Sequence, residues 1–389
     1  MTVHSTLRIR TITLGTNIAS LTDLKPIELA IETLTRSRQR FEASGYEVQT
    51  LRIAIPALLA RCDERARTAA LTALHALDKV VSGRGVILNL GPLLTVDRRD
   101  STLANWTVEL VRSTRSMSFS AVVASASGVH LDAAFASAQI MRSLASALPG
   151  GLANFRFAAA ANIPSGTPFF PVAWHEGADS IAIGVEGASL VERAWTEPFD
   201  RASAERQLKK VIDDALRPIQ SIGETIAKET SRAWLGIDAS PAPGPDRSIA
   251  AGIERFTGAP FGSASTLHAC GTITAALKSL DVKTCGYSGL MLPVLEDPLL
   301  AQRASEQRYG IRDLLLYSSV CGTGLDVVPV PADTPVETIA GLITDVAALS
   351  TRLRKPLSVR LLLVPDKQVG DVATFDDPIL SDCRVMKID

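Results

Sequence analysis

A thiol, a hydroxyl and a carboxylate fall close together in Cys321-Gly322-Thr323-Gly324-Leu325-Asp326. The two glycines give that turn room and expose its backbone. Cys321 is therefore a candidate nucleophile, provided a base or a helix N-terminus lowers its pKa. A buried free cysteine that packs as a small hydrophobe fits the same residues. Further acids follow apolar runs or stand in loops: Asp238, Glu296-Asp297, Asp333, Asp366 and Asp371. In α/β folds the loops beyond strand ends carry the chemistry, because a rigid scaffold holds them. Asp238, Glu296 and Asp297 are a candidate ligand set for a hard cation, Mg²⁺ or Ca²⁺, and carboxylates placed this way equally serve as acid and base. Asp297 before Pro298 and Asp333 before Thr334-Pro335 also fit helix N-caps.

His175 follows Pro168-Phe169-Phe170-Pro171 and stands beside Trp174. A histidine in such a loop is a candidate general base, or one bonded to a carbonyl. No second histidine lies at metal-ligand spacing, which argues against a histidine zinc site. Two glycine turns, Gly286-Tyr287-Ser288-Gly289 and Gly322-Thr323-Gly324, could cradle an anion with backbone N–H groups. Neither extends to a phosphate loop or a GxGxxG fingerprint, so no nucleotide cofactor is expected. The first is one residue short of a GxSxG elbow, which argues against a serine hydrolase.

The elements that must hold these residues alternate. Residues 7–14, 47–55, 83–90 and 119–124 read as strands. Residues 26–44, 63–82, 99–115 and 131–148 read as helices between and after them. That order predicts parallel strands joined by helical crossovers. Farther on, strands are predicted at 180–185, 234–238, 290–295, 325–331 and 357–364. Helices are predicted at 202–231, 248–256, 265–280, 297–308 and 335–353. The whole chain, residues 1–389, reads as a single domain.

Of 389 residues, 46% are hydrophobic and 21% charged, enough to bury a sizeable core. The formal net charge of −1 and an aromatic content of 5% give no footprint for nucleic acid or an anionic membrane. The N-terminus has no apolar h-region and no run is long enough to cross a bilayer. Five widely spaced cysteines without a CxxC suit a reducing compartment. The expectation is a cytoplasmic protein.

Several stretches together resemble the bacterial and archaeal family known as domain of unknown function 711. They are Arg10-Thr11-Ile12-Thr13-Leu14-Gly15, Pro168-Phe169-Phe170-Pro171 with His175, and Gly236-Ile237-Asp238-Ala239-Ser240-Pro241-Ala242-Pro243. The rest are Gly286-Tyr287-Ser288-Gly289 through Pro293 with Glu296-Asp297, Val320-Cys321-Gly322-Thr323-Gly324-Leu325-Asp326, and Pro365-Asp366-Lys367 with Gly370-Asp371. The resemblance implies a fold like that of pyruvate formate-lyase and other glycyl radical enzymes: an α/β barrel of two parallel half-barrels with surrounding helices. A loop carrying the reactive cysteine reaches into such a barrel, and Cys321 would be its counterpart. The RVxGY-like radical segment is missing, and Thr374-Phe375-Asp376-Asp377-Pro378 stands near the C-terminus instead. Radical chemistry is therefore not expected.

These readings combine into an expected enzyme of hydrolase, lyase or isomerase type. It would act on a small carboxylated or acylated metabolite in the barrel interior. Cys321, His175 and Asp326 are its catalytic candidates. Arg10 could hold a carboxylate in a bidentate fork, with Asn17, Asn162, Ser288 and Gly322 as further substrate contacts. The alternative is a non-catalytic metabolite-binding or sensing protein. A homo-oligomer is compatible with either.

Overall fold

The computed structural model describes residues 7–196, 199–200 and 202–388. Residues 1–6, which include His4, and Asp389 lie outside them. The strands of the main sheet, in chain order, are β1 (Arg8–Gly15), β2 (Val48–Ala54), β3 (Val86–Pro92), β4 (Met117–Ser125), β5 (Gly128–Val129), β6 (Phe157–Ala161), β7 (Ser180–Glu186), β8 (Ala233–Asp238), β9 (Gly324–Pro331) and β10 (Leu357–Val364), and Val372–Ala373 pairs antiparallel with Cys383–Arg384 in a small separate sheet. The helices are α1 (Lys25–Ala43), α2 (Glu64–Ser82), α3 (Leu103–Ser113), α4 (Leu131–Leu144), α5 (Ala188–Ala194), α6 (Ala204–Glu229), α7 (Ile249–Thr257), α8 (Thr266–Lys278), α9 (Pro298–Ser305), α10 (Ile311–Tyr317) and α11 (Val336–Leu353). Local chemistry sets their ends. Pro26 opens α1. Asp63 caps α2 by accepting from the Ala66 N–H. Gly258, at φ 73°, ends α7 in the left-handed conformation.

The strands form one mixed, mostly parallel sheet in the order β8-β7-β1-β2-β3-β4-β6-β10-β9, with β5 paired to β4. The expectation of parallel strands with helical crossovers holds for β1 to β4. The parallel block continues to β6. Two antiparallel joints bound it, β1 with β7 and β6 with β10. One outer pair, β7 with β8, is parallel, and so is the other, β10 with β9.

The sheet is curled. Thr284 bridges Ile237 at one edge, and Pro293 bridges Asp326 at the other. Ten strand spacings in a flat sheet would put those points roughly 48 Å apart, whereas nine residues reach roughly 32 Å at full extension. The strand predicted at 290–295 reduces to that single bridge. Pro293 has no N–H to give to a ladder.

The two faces of the sheet differ. Helices cover the outer one, whose core holds residues such as Ile9, Leu51, Phe119 and Val359. A separate apolar cluster joins Ala158 and Ala160 of β6 to loop residues Phe169, Val172, Ala242, Tyr287 and Met291. The loop carrying Phe169 is tied to the strands: Thr13 Oγ1 donates to the Pro168 carbonyl (2.9 Å) and Asn89 Nδ2 to the Pro171 carbonyl (2.7 Å). Among the described residues, no helix is long and apolar enough to cross a membrane.

Gly289 and Gly322 cross backbone to backbone, and a Cβ on either would collide with the other's Cα. The Gly322 N–H donates to the Leu290 carbonyl (3.0 Å). Gly322→Ala should therefore destabilise the protein by about 1–3 kcal/mol, the usual range for overpacking. Urea unfolding measures it, and a variant as stable as the parent would show that the two segments do not need this approach.

Candidate functional site

A cavity of about 820 Å³ opens at the strand beginnings of β1 to β4. Its wall carries six arginines, Arg8, Arg10, Arg52, Arg115, Arg156 and Arg360, against three carboxylates, Glu47, Asp246 and Glu296. Such an excess of guanidinium favours an anion.

From the recess beside the cavity to its rim, the charges alternate along a chain. Asp326 Oδ1 accepts from Arg360 Nε at 2.7 Å, and Arg360 Nη2 donates to Glu296 Oε1 at 2.8 Å. The other oxygen, Glu296 Oε2, accepts from Arg10 Nη2 at 3.0 Å. Arg10 continues through Gln49 (3.2 Å), whose amide donates to Glu186, and Glu186 accepts from Arg8 (2.9 Å). Arg8 then reaches Asp246 at the rim (2.7 Å). The backbone helps to aim the members. The β1–β7 register slips at Arg10, and the β9–β10 register slips beside Asp326, where Val327 holds φ at 47°. A bulge re-aims side chains, and positive φ is costly for a β-branched residue.

Burial drives the Asp326 carboxyl above its ordinary value; nearby Arg360 opposes this and Glu296 adds to it. Glu296 goes the other way. Burial works against its charge, but Arg360 and Arg10 outweigh it and hold the carboxyl below the usual range. Asp326 lines a recess of about 40 Å³ that shares Phe170 and Arg360 with the main cavity. The Tyr287 hydroxyl, which donates to Ser358 Oγ at 2.8 Å, lines the same recess, and burial pushes that phenol upward. A further cavity of about 390 Å³ shares Val172 with the recess, and Asn162 and Trp174 line it.

The residues singled out in the sequence separate into two groups. Arg10 and Glu296 line the main cavity, Asp326 the recess and Asn162 the further cavity. The others stand elsewhere. Cys321 is buried in the core behind the sheet, just after α10, and is not in the wall of these three cavities. Its neighbour across the packing is Cys270 of α8, whose thiol burial pushes well up. Gly322 is taken up by the crossing with Gly289. His175 packs on Gly15 with Asp179 at 4.0 Å, and burial lowers its pKa. Asn17 is exposed and bonds Gly177 and Asp179.

Asp238 and Asp297 correct the proposed cation set. Asp238 accepts from the N–H groups of Ser240, Tyr287 and Ser288 and from the Ser240 hydroxyl, and so folds the 286–289 turn. Ser288 in that turn bonds the Cys285 carbonyl and is buried. Asp297 accepts from Leu299 and Leu300 of α9 and from Ser248 and Ile249 at the start of α7, capping two helices at once. With those oxygens engaged and Glu296 held by two arginines, the three acids do not form a common ligand set. Among the described residues no group of three or more His, Cys, Asp or Glu side chains is arranged to hold a metal ion.

Over residues 1–376 the chain matches the family described as Uncharacterised ACR (DUF711). The chain belongs to this family. The chain is similar to a UPF0210 protein of Methanopyrus kandleri, 30% identical over 94% of this chain and 88% of that protein. Another, from Pyrobaculum aerophilum, is 35% identical over 71% of this chain. A third, from Acetivibrio thermocellus, is 31% identical over 72% of it. The match spans 63% of the Pyrobaculum protein's length and 65% of the Acetivibrio one's.

Arg52, Arg360, Phe170, Tyr287 and Ser358 were not among the residues proposed from sequence. A signal for the two arginines was present. Each interrupts an apolar strand, Leu51-Arg52-Ile53 and Val359-Arg360-Leu361, and a charge inside a buried strand must face something polar.

Glu296→Gln leaves Arg10 and Arg360 facing each other without their shared counter-charge. It should cost about 3–5 kcal/mol at neutral pH, the range for breaking a buried pair by removing one partner. The folded pKa of Glu296 lies below its ordinary 4.5. Its contribution is therefore complete above that value and is lost as pH falls through the depressed one. Denaturant melts of parent and variant should converge on acidification, and a gap that stays constant would overturn this account.

Proposed function

We propose that this protein is an enzyme that moves a proton on a small carboxylated metabolite held in the arginine-lined cavity. The step is of lyase or isomerase type and non-radical. What carries the reading is the Asp326 carboxyl, driven up by burial in a recess that shares Arg360 and Phe170 with that cavity. A carboxyl whose pKa is drawn toward neutrality can take a proton and return it. Ionised Glu296 fixes Arg10 and Arg360, and Arg360 orients Asp326. The substrate's carboxylate would lie against Arg10 and Arg360. Cys321 has no role here, because it is packed in the core.

The architecture suits the reading. We take the curled sheet to be the barrel of two half-barrels that the family resemblance implies. The antiparallel joints on either side of the five-strand parallel block, and the 284–293 segment shared by both edges, support it. A non-catalytic metabolite-binding role is the second reading. The close Arg360–Asp326 pair favours it, since an ion pair of that kind also has a purely structural use.

Proton exchange separates the two. The protein would be incubated in D₂O with small carboxylic acids that raise its melting temperature, and loss of their C–H signals followed by NMR. The enzyme reading expects exchange or turnover of at least one acid, lost by about 10²–10⁴-fold in Asp326→Asn and retained in Cys321→Ala. Stabilising acids that show neither exchange nor turnover would leave the binding role.

A further inference from the structure

Arg52 lies in the middle of β2, is only 8% exposed and lines the main cavity. Its side chain makes no hydrogen bond or ion pair with any described residue, and its Nε is a buried donor without an acceptor. Its contact is with an aromatic face: the guanidinium carbon stands 4.9 Å from the centre of the Phe170 ring. The nearby carboxylate, Glu296, is already engaged on both oxygens by Arg10 and Arg360. Burial, then repulsion from Arg10 and Arg360, pushes the guanidinium down to about 9, so it is still charged at neutral pH. Arg156 adds to the positive wall without an acid of its own at contact. Its donors go to the carbonyls of Met117, Val111 and Thr114 and to the Thr114 hydroxyl.

A buried charge without a counter-charge is costly, and an apolar side chain at this strand position would remove the cost. Phe170 covers one face of the guanidinium. Its two terminal nitrogens form the planar fork that matches a carboxylate or a phosphate, on a residue that lines the cavity. We propose that Arg52 anchors a second anionic group of the ligand, so that the cavity takes a small dianion, a dicarboxylate or a phosphorylated acid. This rests on the cavity being the small-acid site described above, and it specifies the substrate class. The first carboxylate lies toward Arg10 and Arg360, and the second anionic group completes the buried guanidinium fork of Arg52, whereas Arg115, the other wall arginine without a side-chain partner among the described residues, is exposed to solvent.

The test is calorimetric titration of the full chain, in slightly alkaline buffer, with butyrate, succinate and inorganic phosphate. Parent, Arg52→Gln and Arg52→Lys are compared. Succinate or phosphate should bind the parent about tenfold or more tightly than butyrate, the value of a charge-assisted contact. Which of the two does so tells a carboxylate anchor from a phosphate anchor. Arg52→Gln should remove that preference and leave butyrate binding in place, and Arg52→Lys should restore part of it. Without ligand, Arg52→Gln should melt no lower than the parent, which separates a lost anchor from a damaged fold. Dianions that bind no better than butyrate, or a preference that survives Arg52→Gln, would overturn the proposal, as would failure of all three probes to bind. Dianion binding that depends on Arg52, but without proton exchange, would overturn only the enzyme reading.

Discussion

The run of alternating charges from Asp326 through Arg360, Glu296, Arg10 and Glu186 to Arg8 is the constraint around which the inner face of the sheet is arranged. Charges removed from water are tolerated only when each finds a counter-charge and further hydrogen bonds. These residues come from β9, β10, β1 and β7 and from the turn before α9. Their pairing therefore joins strands that are far apart in the sheet order. A sheet that opened flat would separate Arg10 from Arg360 and leave Glu296 between them unsatisfied. Curling the sheet and neutralising its interior are thus one requirement, met by one network.

The inserted loops follow from the same requirement. The concave face carries Thr11, Thr13, Asn89, Ser118 and Ser120, all buried. Polar groups there need partners, and the loop from Pro168 to His175 supplies backbone carbonyls to Thr13 and Asn89. The turn at 286–289 is folded by the fully buried Asp238. It enters so closely that Gly286 packs on Asp238 and Pro168. The loops bring Phe169, Phe170, Tyr287 and Met291 with them, which fill the middle and leave a cavity on either side of a narrow recess. Arg52 stands outside this balance, with no hydrogen-bonded acceptor for its side chain among the described residues. Its guanidinium faces the cavity against Phe170, with Glu296 already engaged elsewhere.

Much of the architecture was legible along the chain. Alternating strands and helices at steady spacing produced β1 to β4 and their crossovers as expected, because periodicity and capping act within a few residues. Residues 357–364 and the amphipathic residues 204–229 were legible for the same reason. The site was legible only in part. Arg10, Glu296 and Asp326 were singled out by residue type and do line the cavity or its recess. Cys321, His175, Asp238 and Asp297 had equally good local contexts. Packing assigned them to a core, a loop contact, a turn and a double helix cap.

By itself the amino-acid sequence determined the order and type of most elements, the family, and a set of charged and thiol residues with chemical potential. Only the tertiary structure decided which of them share a space. A carboxylate before a proline reads the same whether it caps one helix or two. An arginine within an apolar strand reads the same whether it meets an acid or an open cavity. Those outcomes depend on how the sheet curls and which strands then face one another across its interior. That is set by contacts hundreds of residues apart, such as Arg10 with Glu296, which no local pattern encodes.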